Sequence, residues 1–300
     1  MTAVRLQMKE SSYVKYESLV RRHIEPDLGH LKTNQLTTGQ LDIFVKQQLQ
    51  AGSQTKGRLA PKTVRDILAV LKLIIAWANR HHYFIPARPE EVHVKLTDQS
   101  VQVLTQQDQE SLELFIEDDL DRRATGVLLT LYTGIRVGEL CALRQKDLKL
   151  TEAIMEIQQT LQRIPNLAAA PSEPKTKVLI ESPKSACSNR MIPLPDLVVK
   201  RLKQYEMPDP EAFFLTGSRD RFIEPRGLNM YLRRLLKSCE LPLIHFHELR
   251  HTFATRCIEK NFDVKALSEI LGHASVNITL NRYVHVSMEE KRRNMKKLSG

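Results

Sequence analysis

Three hundred residues, 42% of them hydrophobic, suffice for two domains with filled cores. The net charge of +10 points to a polyanionic partner, and it is uneven: residues 1–95 hold 15 Lys and Arg against 8 Asp and Glu, the rest 30 against 27. Four cysteines with no Cys-x-x-Cys pair suggest neither a disulfide framework nor a thiolate metal site, and no apolar run suits a signal peptide or membrane span, so a cytoplasmic protein is expected.

In chain order, apolar periodicity predicts a short helix over Tyr13–His23, closed by Ile24-Glu25-Pro26-Asp27 and Gly29. A second, Thr38–Leu49, turns Leu41, Phe44, Val45 and Leu49 to one face. A third begins at Pro61 and continues to Tyr83. Val64, Ile67, Leu68, Leu71, Ile74, Ile75 and Ala78 point inward, and Lys62, Arg65, Lys72 and Arg80 form its polar face. Residues 1–86 thus read as a basic helical bundle, which makes it the electrostatic grip, with Lys62, Arg65 and Lys72, on one polar face, as candidate contacts to that polyanionic partner.

Residues 87–103 are polar, hold Pro89 and show little periodicity, as a linker would. A second domain, 104–300, opens on a helix capped by Thr105. Ile154-Met155-Glu156-Ile157 alternates as a strand, and Arg163–Lys177 looks like a hairpin extension. Val178-Leu179-Ile180 and Met191-Ile192-Pro193-Leu194 flank a turn that carries Lys184. Helical periodicity returns from Gly227. The fold class expected is mainly α with a small antiparallel sheet.

Cutting a phosphodiester without metal or nucleotide needs a nucleophile, cations for the phosphate oxygens and an acid for the leaving oxygen. Arginine suits the second task, because its planar fork holds two oxygens and keeps its charge. A tyrosine nucleophile is only about one part in a thousand ionised at neutral pH, so it needs cationic neighbours. The second domain supplies such a set. Arg136 stands in Thr-Gly-Ile-Arg-Val-Gly-Glu-Leu with Glu139 one turn on. His247 and Arg250 share a helix face, His273 follows Leu271-Gly272, and Tyr283 sits in Asn-Arg-Tyr near the C-terminus. Singly, each has an ordinary explanation: an ion pair, a solvated cap, a core ring, a turn lysine. Their order is what makes them a set.

TGIRVGEL, SPKSACSNRMIPL, HELRHTFAT and LGHASVNITLNRYVH together resemble the catalytic domain of the tyrosine recombinases. The helical layout before them is similar to the core-binding domain of integrases from phages and conjugative transposons. The resemblance implies that Arg136 and Arg250 clamp the scissile phosphate, while His247 and His273 bond its oxygens and help move protons. It also implies that Lys184 protonates the leaving 5′-oxygen, Tyr283 forms a 3′-phosphotyrosine, and Glu139 orients Arg136. Expected partners are double-stranded DNA clamped between the two domains, a homotetramer on paired sites, and an excisionase or DNA-bending accessory protein. Strands would be exchanged through a Holliday junction, and no cofactor, metal or membrane is expected. Integrases of this kind often carry an additional arm-binding domain, so this chain would be a simpler or a truncated one. The basic stretch Ser287–Gly300 reads either as a solvated tail or as a helix docking on a neighbouring subunit.

Three rival classes share parts of this pattern. A type IB topoisomerase has the same chemistry without paired sites. A DNA-binding regulator has no use for Tyr283 beside two arginines. His247-Glu248-Leu249-Arg250-His251 is also literally the His-Glu-x-x-His pattern of zinc hydrolases, with Glu269 downstream. That reading leaves Arg136, Lys184, His273 and Tyr283 unexplained.

Overall fold

The computed structural model describes residues 8–50, 57–95, 102–170, 172–182 and 188–283. The chain divides into two compact units, Met1–Ser100 with Ile164–Lys175, and Val101–Arg163 with Thr176–Gly300.

In the first unit, α1 (Glu10–Leu19) runs into a π-helical turn (Val20–Ile24) and a short α2 (Glu25–Leu28). The sequence predicts a helix closed at Ile24, yet the chain stays helical past Pro26. Proline lacks an N–H and its ring crowds the carbonyl four residues back. The wider π turn just upstream absorbs that misfit. Helices α3 (Thr38–Gln50) and α4 (Pro61–Arg80) pair their apolar faces, with Pro61 at the start of α4, where its missing N–H costs nothing. Leu41, Phe44, Val45, Val64, Ile67, Leu68, Leu71, Ile75 and Ala78 are buried as their spacing predicts, each contributing up to about 1.5–3 kcal/mol for the larger side chains. Leu49 and Ile74 are only half-buried. Buried Gln48 ties α3 to α2 through a 2.6 Å bond to Asp27. Lys62, Arg65, Lys72 and Arg80 are all exposed on α4.

The second unit opens on α5 (Gln106–Phe115), where Thr105 Oγ1 accepts the Asp108 N–H at 3.1 Å as the expected cap. The central helix α6 (Arg122–Thr133) is buried over most of its length. It stops at Gly134, whose φ of +62° suits glycine and where a Cβ would lie 2.5 Å from the Phe253 ring. α7 (Val137–Ala142) follows at once. Strands β1 (Leu148–Lys149), β2 (Ile154–Ile157) and β5 (Arg190–Pro193) form an antiparallel sheet, with Met155 opposite Leu148 and Ile192. β3 (Thr160–Pro165) and β4 (Thr176–Glu181) form a separate two-stranded sheet, the hairpin extension, continued by the Asn166 N–H donating to Lys175 O at 2.8 Å.

The strands on either side of Lys184, β4 and β5, therefore belong to different sheets and do not pair with each other, contrary to the simple turn the sequence suggests. Helices α8 (Asp196–Leu202), α9 (Pro225–Ser238), α10 (Phe246–Glu259), α11 (Val264–Leu271) and α12 (Val276–Tyr283) complete the unit. Leu129, Leu140, Phe214, Leu232, Leu236, Phe246 and Leu249 are fully buried in its main core. A smaller cluster of Phe253, Ala254, Leu267 and Leu271 joins α10 to α11. The fold is mainly helical with small sheets, as expected, and no helix among the described residues is long and apolar enough to cross a membrane.

Candidate active site

The site is organised by the end of α11. Asp263 caps the start of that helix by accepting the Ala266 N–H at 2.8 Å, and Gly272 ends it in the left-handed conformation, φ +63°. The last carbonyls of a helix lack intrahelical partners and carry the negative end of its dipole. Here three consecutive carbonyls meet three guanidiniums. Arg190 Nε donates to Ile270 O at 2.5 Å, Arg250 Nη2 to Leu271 O at 2.7 Å, and Arg136 Nη2 to Gly272 O at 2.9 Å. Arg250 Nη1 also donates to Gly134 O at 2.7 Å. Both left-handed glycines thus turn a carbonyl toward an arginine. Gly134 lies two residues before Arg136, whereas the string around Arg250 has no glycine, and Arg250 takes both its carbonyls from elsewhere in the chain.

Glu139 joins two of these arginines. Arg136, the residue before α7, donates its backbone N–H to Oε2 at 2.9 Å and Nη1 to Oε1 at 2.7 Å. Arg190 grips the same carboxylate with both ends of its fork, at 2.8 Å and 3.1 Å. Glu139 is 2% exposed. Burial pushes its carboxyl up, but the bonds and charge of Arg190, then Arg136, outweigh this and hold it below the usual carboxylate range. It stays ionised.

Tyr283 ends α12, and its ring packs beside the Phe253–Leu271 cluster. The hydroxyl does not end in apolar packing: it lies 2.5 Å from His251 Nδ1. Burial raises the phenol pKa, while the charges of Arg250, Arg282 and Arg136 pull the other way. His251 is pushed down to about 3 by burial, then by Arg282 and His247. His273 falls to about 4 through burial, then Arg250 and Arg136, and its Nδ1 is 2.8 Å from the Thr279 hydroxyl. Both rings are neutral at pH 7. Arg250, 2% exposed, is drawn down to about 9 by burial and by Arg136, and it remains a cation.

Of the residues singled out in the sequence, Arg136, Glu139, Arg250, His273 and Tyr283 are drawn together around α11. His247 is exposed at the edge, its ring centred 4.7 Å from that of His251. Lys184 and the stretch Ser287–Gly300 lie outside the described residues. Sequence reasoning missed Arg190, although it lies within the string SPKSACSNRMIPL, and saw in His251 only half of a zinc pattern. That pattern has other occupations. The Glu248 carboxylate accepts the His245 N–H at 2.5 Å as a helix cap, and His251 faces Tyr283. Among the described residues no three His, Cys, Asp or Glu side chains are grouped to hold a metal.

Known proteins resemble this chain. Residues 95–290 match the phage integrase family, and residues 1–47 match the phage integrase N-terminal SAM-like domain. A tyrosine recombinase XerC-like protein of Caldanaerobacter subterraneus subsp. tengcongensis is 25% identical over 96% of this chain and 77% of its own length. The transposase from transposon Tn916 of Enterococcus faecalis is 27% identical over 66% of this chain, and the match spans 51% of that protein. The Tn1549 transposon integrase, solved in complex with transposon right end DNA, shares the fold with a TM-score of 0.80 at 22% identity, over 100% of this chain and 98% of that one. The chain belongs to the phage integrase family and is a tyrosine recombinase, a site-specific enzyme of DNA strand breakage and rejoining.

Proposed function

We propose that Tyr283 is the nucleophile and that Arg136 and Arg250 receive the scissile phosphate between them. The phenol oxygen bonds to phosphorus, the bond to the 5′-oxygen breaks, and Lys184 gives that oxygen its proton. A neighbouring imidazole accepts the phenol proton, and His247 and His273 bond the non-bridging oxygens. The ester conserves the energy of the broken bond, so attack by a new 5′-hydroxyl reseals the strand without a nucleotide cofactor. Glu139 orients Arg136 through its two bonds.

The observation that carries this reading is the placing of the Tyr283 hydroxyl beside the buried His251, in the field of nearby arginines. That hydroxyl sits at a polar contact and within reach of the charge of both Arg250 and Arg136. Removing one clamp cation is expected to cost roughly 3–4 kcal/mol in the transition state, as for other removed oxyanion donors.

The partner is double-stranded DNA, with a homotetramer assembled on paired sites and an excisionase or DNA-bending protein setting direction, in the cytoplasm. Support comes from the relatives' DNA-bound forms, which include a lambda integrase tetramer bound to a Holliday junction. Lys62, Arg65 and Lys72, exposed on one helix, suit phosphate contacts. The test is a nicked suicide substrate: the unmodified protein should form an adduct that survives denaturation, and Tyr283→Phe should form none. An adduct persisting in Tyr283→Phe overturns the assignment.

A further inference from the structure

We propose that Arg190 is a positioning residue of this site, neutralising Glu139 so that the charge of Arg136 remains available to the phosphate, and keeping Arg136 and Arg250 in register through the end of α11. The inference rests on the reading of Arg136, Arg250 and Tyr283 given above.

Glu139 alone would both help and hinder the clamp. It fixes Arg136 by two hydrogen bonds, but a carboxylate so close also cancels the field its partner offers an incoming anion. Because Glu139 is buried, water screens that cancellation little, and charge stabilisation is what the clamp supplies. Arg190 removes the difficulty. Its fork covers both oxygens of Glu139, at 2.8 Å and 3.1 Å. The three arginines and one carboxylate then leave two net positive charges, the number the two clamp residues would have alone. Without Arg190 one would remain. The displacement adds a negative charge to the phosphate oxygens as the phosphorus becomes five-coordinate, so the loss falls on the transition state more than on DNA binding.

Arg190 is not itself a phosphate ligand. Its side chain is 6% exposed and makes four hydrogen bonds, the remaining two going to Ile270 O at 2.5 Å and Ser188 O at 3.1 Å. The bond to Ile270 adjoins those of Arg250 to Leu271 and Arg136 to Gly272. Arg190 therefore touches Arg136 by two routes, through a shared carboxylate and through neighbouring carbonyls. Lysine keeps the charge but cannot span both carboxylate oxygens and a carbonyl at once.

The experiment compares single-turnover adduct formation on a nicked suicide substrate, alongside DNA affinity, for Arg190→Gln and Arg190→Lys. It repeats Arg190→Gln in a Glu139→Gln background. Arg190→Gln is expected to slow cleavage by about a hundredfold, as for a lost electrostatic donor, with affinity nearly unchanged, and Arg190→Lys to recover part of the rate. With no carboxylate left to neutralise, the same change beside Glu139→Gln should cost less than about tenfold, the signature of coupled residues.

Equal losses in both backgrounds indicate a purely structural arginine and overturn the proposal, as does an undiminished rate in Arg190→Gln. Should Arg190→Gln fail to fold, the comparison of Arg190→Lys with the unmodified protein and of the double variant with Glu139→Gln decides. A Tyr283-dependent adduct in the unmodified protein with no Arg190 effect sinks this inference alone. Absence of that adduct sinks the functional reading and this inference with it.

Discussion

The Tyr283 hydroxyl and His251 Nδ1 stand 2.5 Å apart, and the imidazole is 3% exposed. The phenol is thus held at its polar end by a ring on α10 while its apolar body rests near α11. A side chain restrained at both ends has few alternative rotamers, and if Tyr283 is the nucleophile as proposed, its approach to phosphorus is set before DNA arrives. Replacing His251 with alanine removes one restraint. Adduct formation should slow by about tenfold, the worth of one hydrogen bond of about 1–1.5 kcal/mol, with DNA affinity unchanged. Single-turnover cleavage and a binding assay on one DNA check this. A rate equal to that of the unmodified protein would show the contact to be idle.

Acid should affect stability before chemistry. His251 and His273 titrate near 3 and near 4 in the folded chain, against 6.5 when exposed. Above about pH 6.5 neither histidine is protonated in either state, and both leave stability untouched. As pH falls below that, the unfolded chain binds protons the folded chain refuses, and the balance is drawn toward unfolding until about pH 4 by His273 and until about pH 3 by His251. Thermal unfolding at pH 7.5 and pH 5.0 should show this loss, and His251→Gln with His273→Gln should reduce it. No step in cleavage rate near pH 6.5 should come from either ring.

Arg250→Lys is expected to cost cleavage about a hundredfold to a thousandfold, although the charge is kept. The guanidinium bonds Gly134 O and Leu271 O at 2.7 Å each, from two nitrogens that a lysine does not have. One buried carbonyl would lose its donor, costing about 1–3 kcal/mol of stability as well. Cleavage rate and melting temperature measured on the same preparation test both halves.

Two glycines with nearly the same backbone conformation should respond differently to alanine. At Gly134, φ +62°, an added Cβ would meet the Phe253 ring at 2.5 Å and Leu271 at 2.8 Å, whereas at Gly57, φ +65°, it would meet nothing within 4 Å. Gly57→Ala should cost only the left-handed penalty, about 1–2 kcal/mol. Gly134→Ala adds a clash of about 1–3 kcal/mol and displaces the carbonyl that Arg250 uses. Unfolding by denaturant gives both values, and equal losses would show that the α6–α10 contact yields freely.

If α4 grips phosphates, Lys62→Ala, Arg65→Ala and Lys72→Ala should each weaken DNA binding on any sequence. Each should also lower the slope of log affinity against log salt by about 1. Titrations at several salt concentrations test it, and an unchanged slope removes that residue from the interface.

What the sequence disclosed depended on the distance over which each feature is determined. The apolar stripe of α4 and the Thr105 cap are local, and both stand where their spacing places them. Arg136 was visible because a short glycine-containing string surrounds it, and Arg250 because histidines flank it. Arg190 and His251 were not legible in the same way, since their meaning comes from Glu139, 51 residues away, and Tyr283, 32 residues away. Pro26 misled for a related reason: a proline ends a helix only when no wider turn upstream makes room for it. His-Glu-x-x-His misled because a two-histidine pattern is silent about which partner each ring finds.

α11 is eight residues long, and three arginines from elsewhere in the chain fasten to its last turn and cap. Whatever tilts this small peg tilts all three together. Damage to its far end, at Asp263 or Leu267, should therefore disable the enzyme as a whole, at positions that no inspection of the DNA-facing side chains would single out.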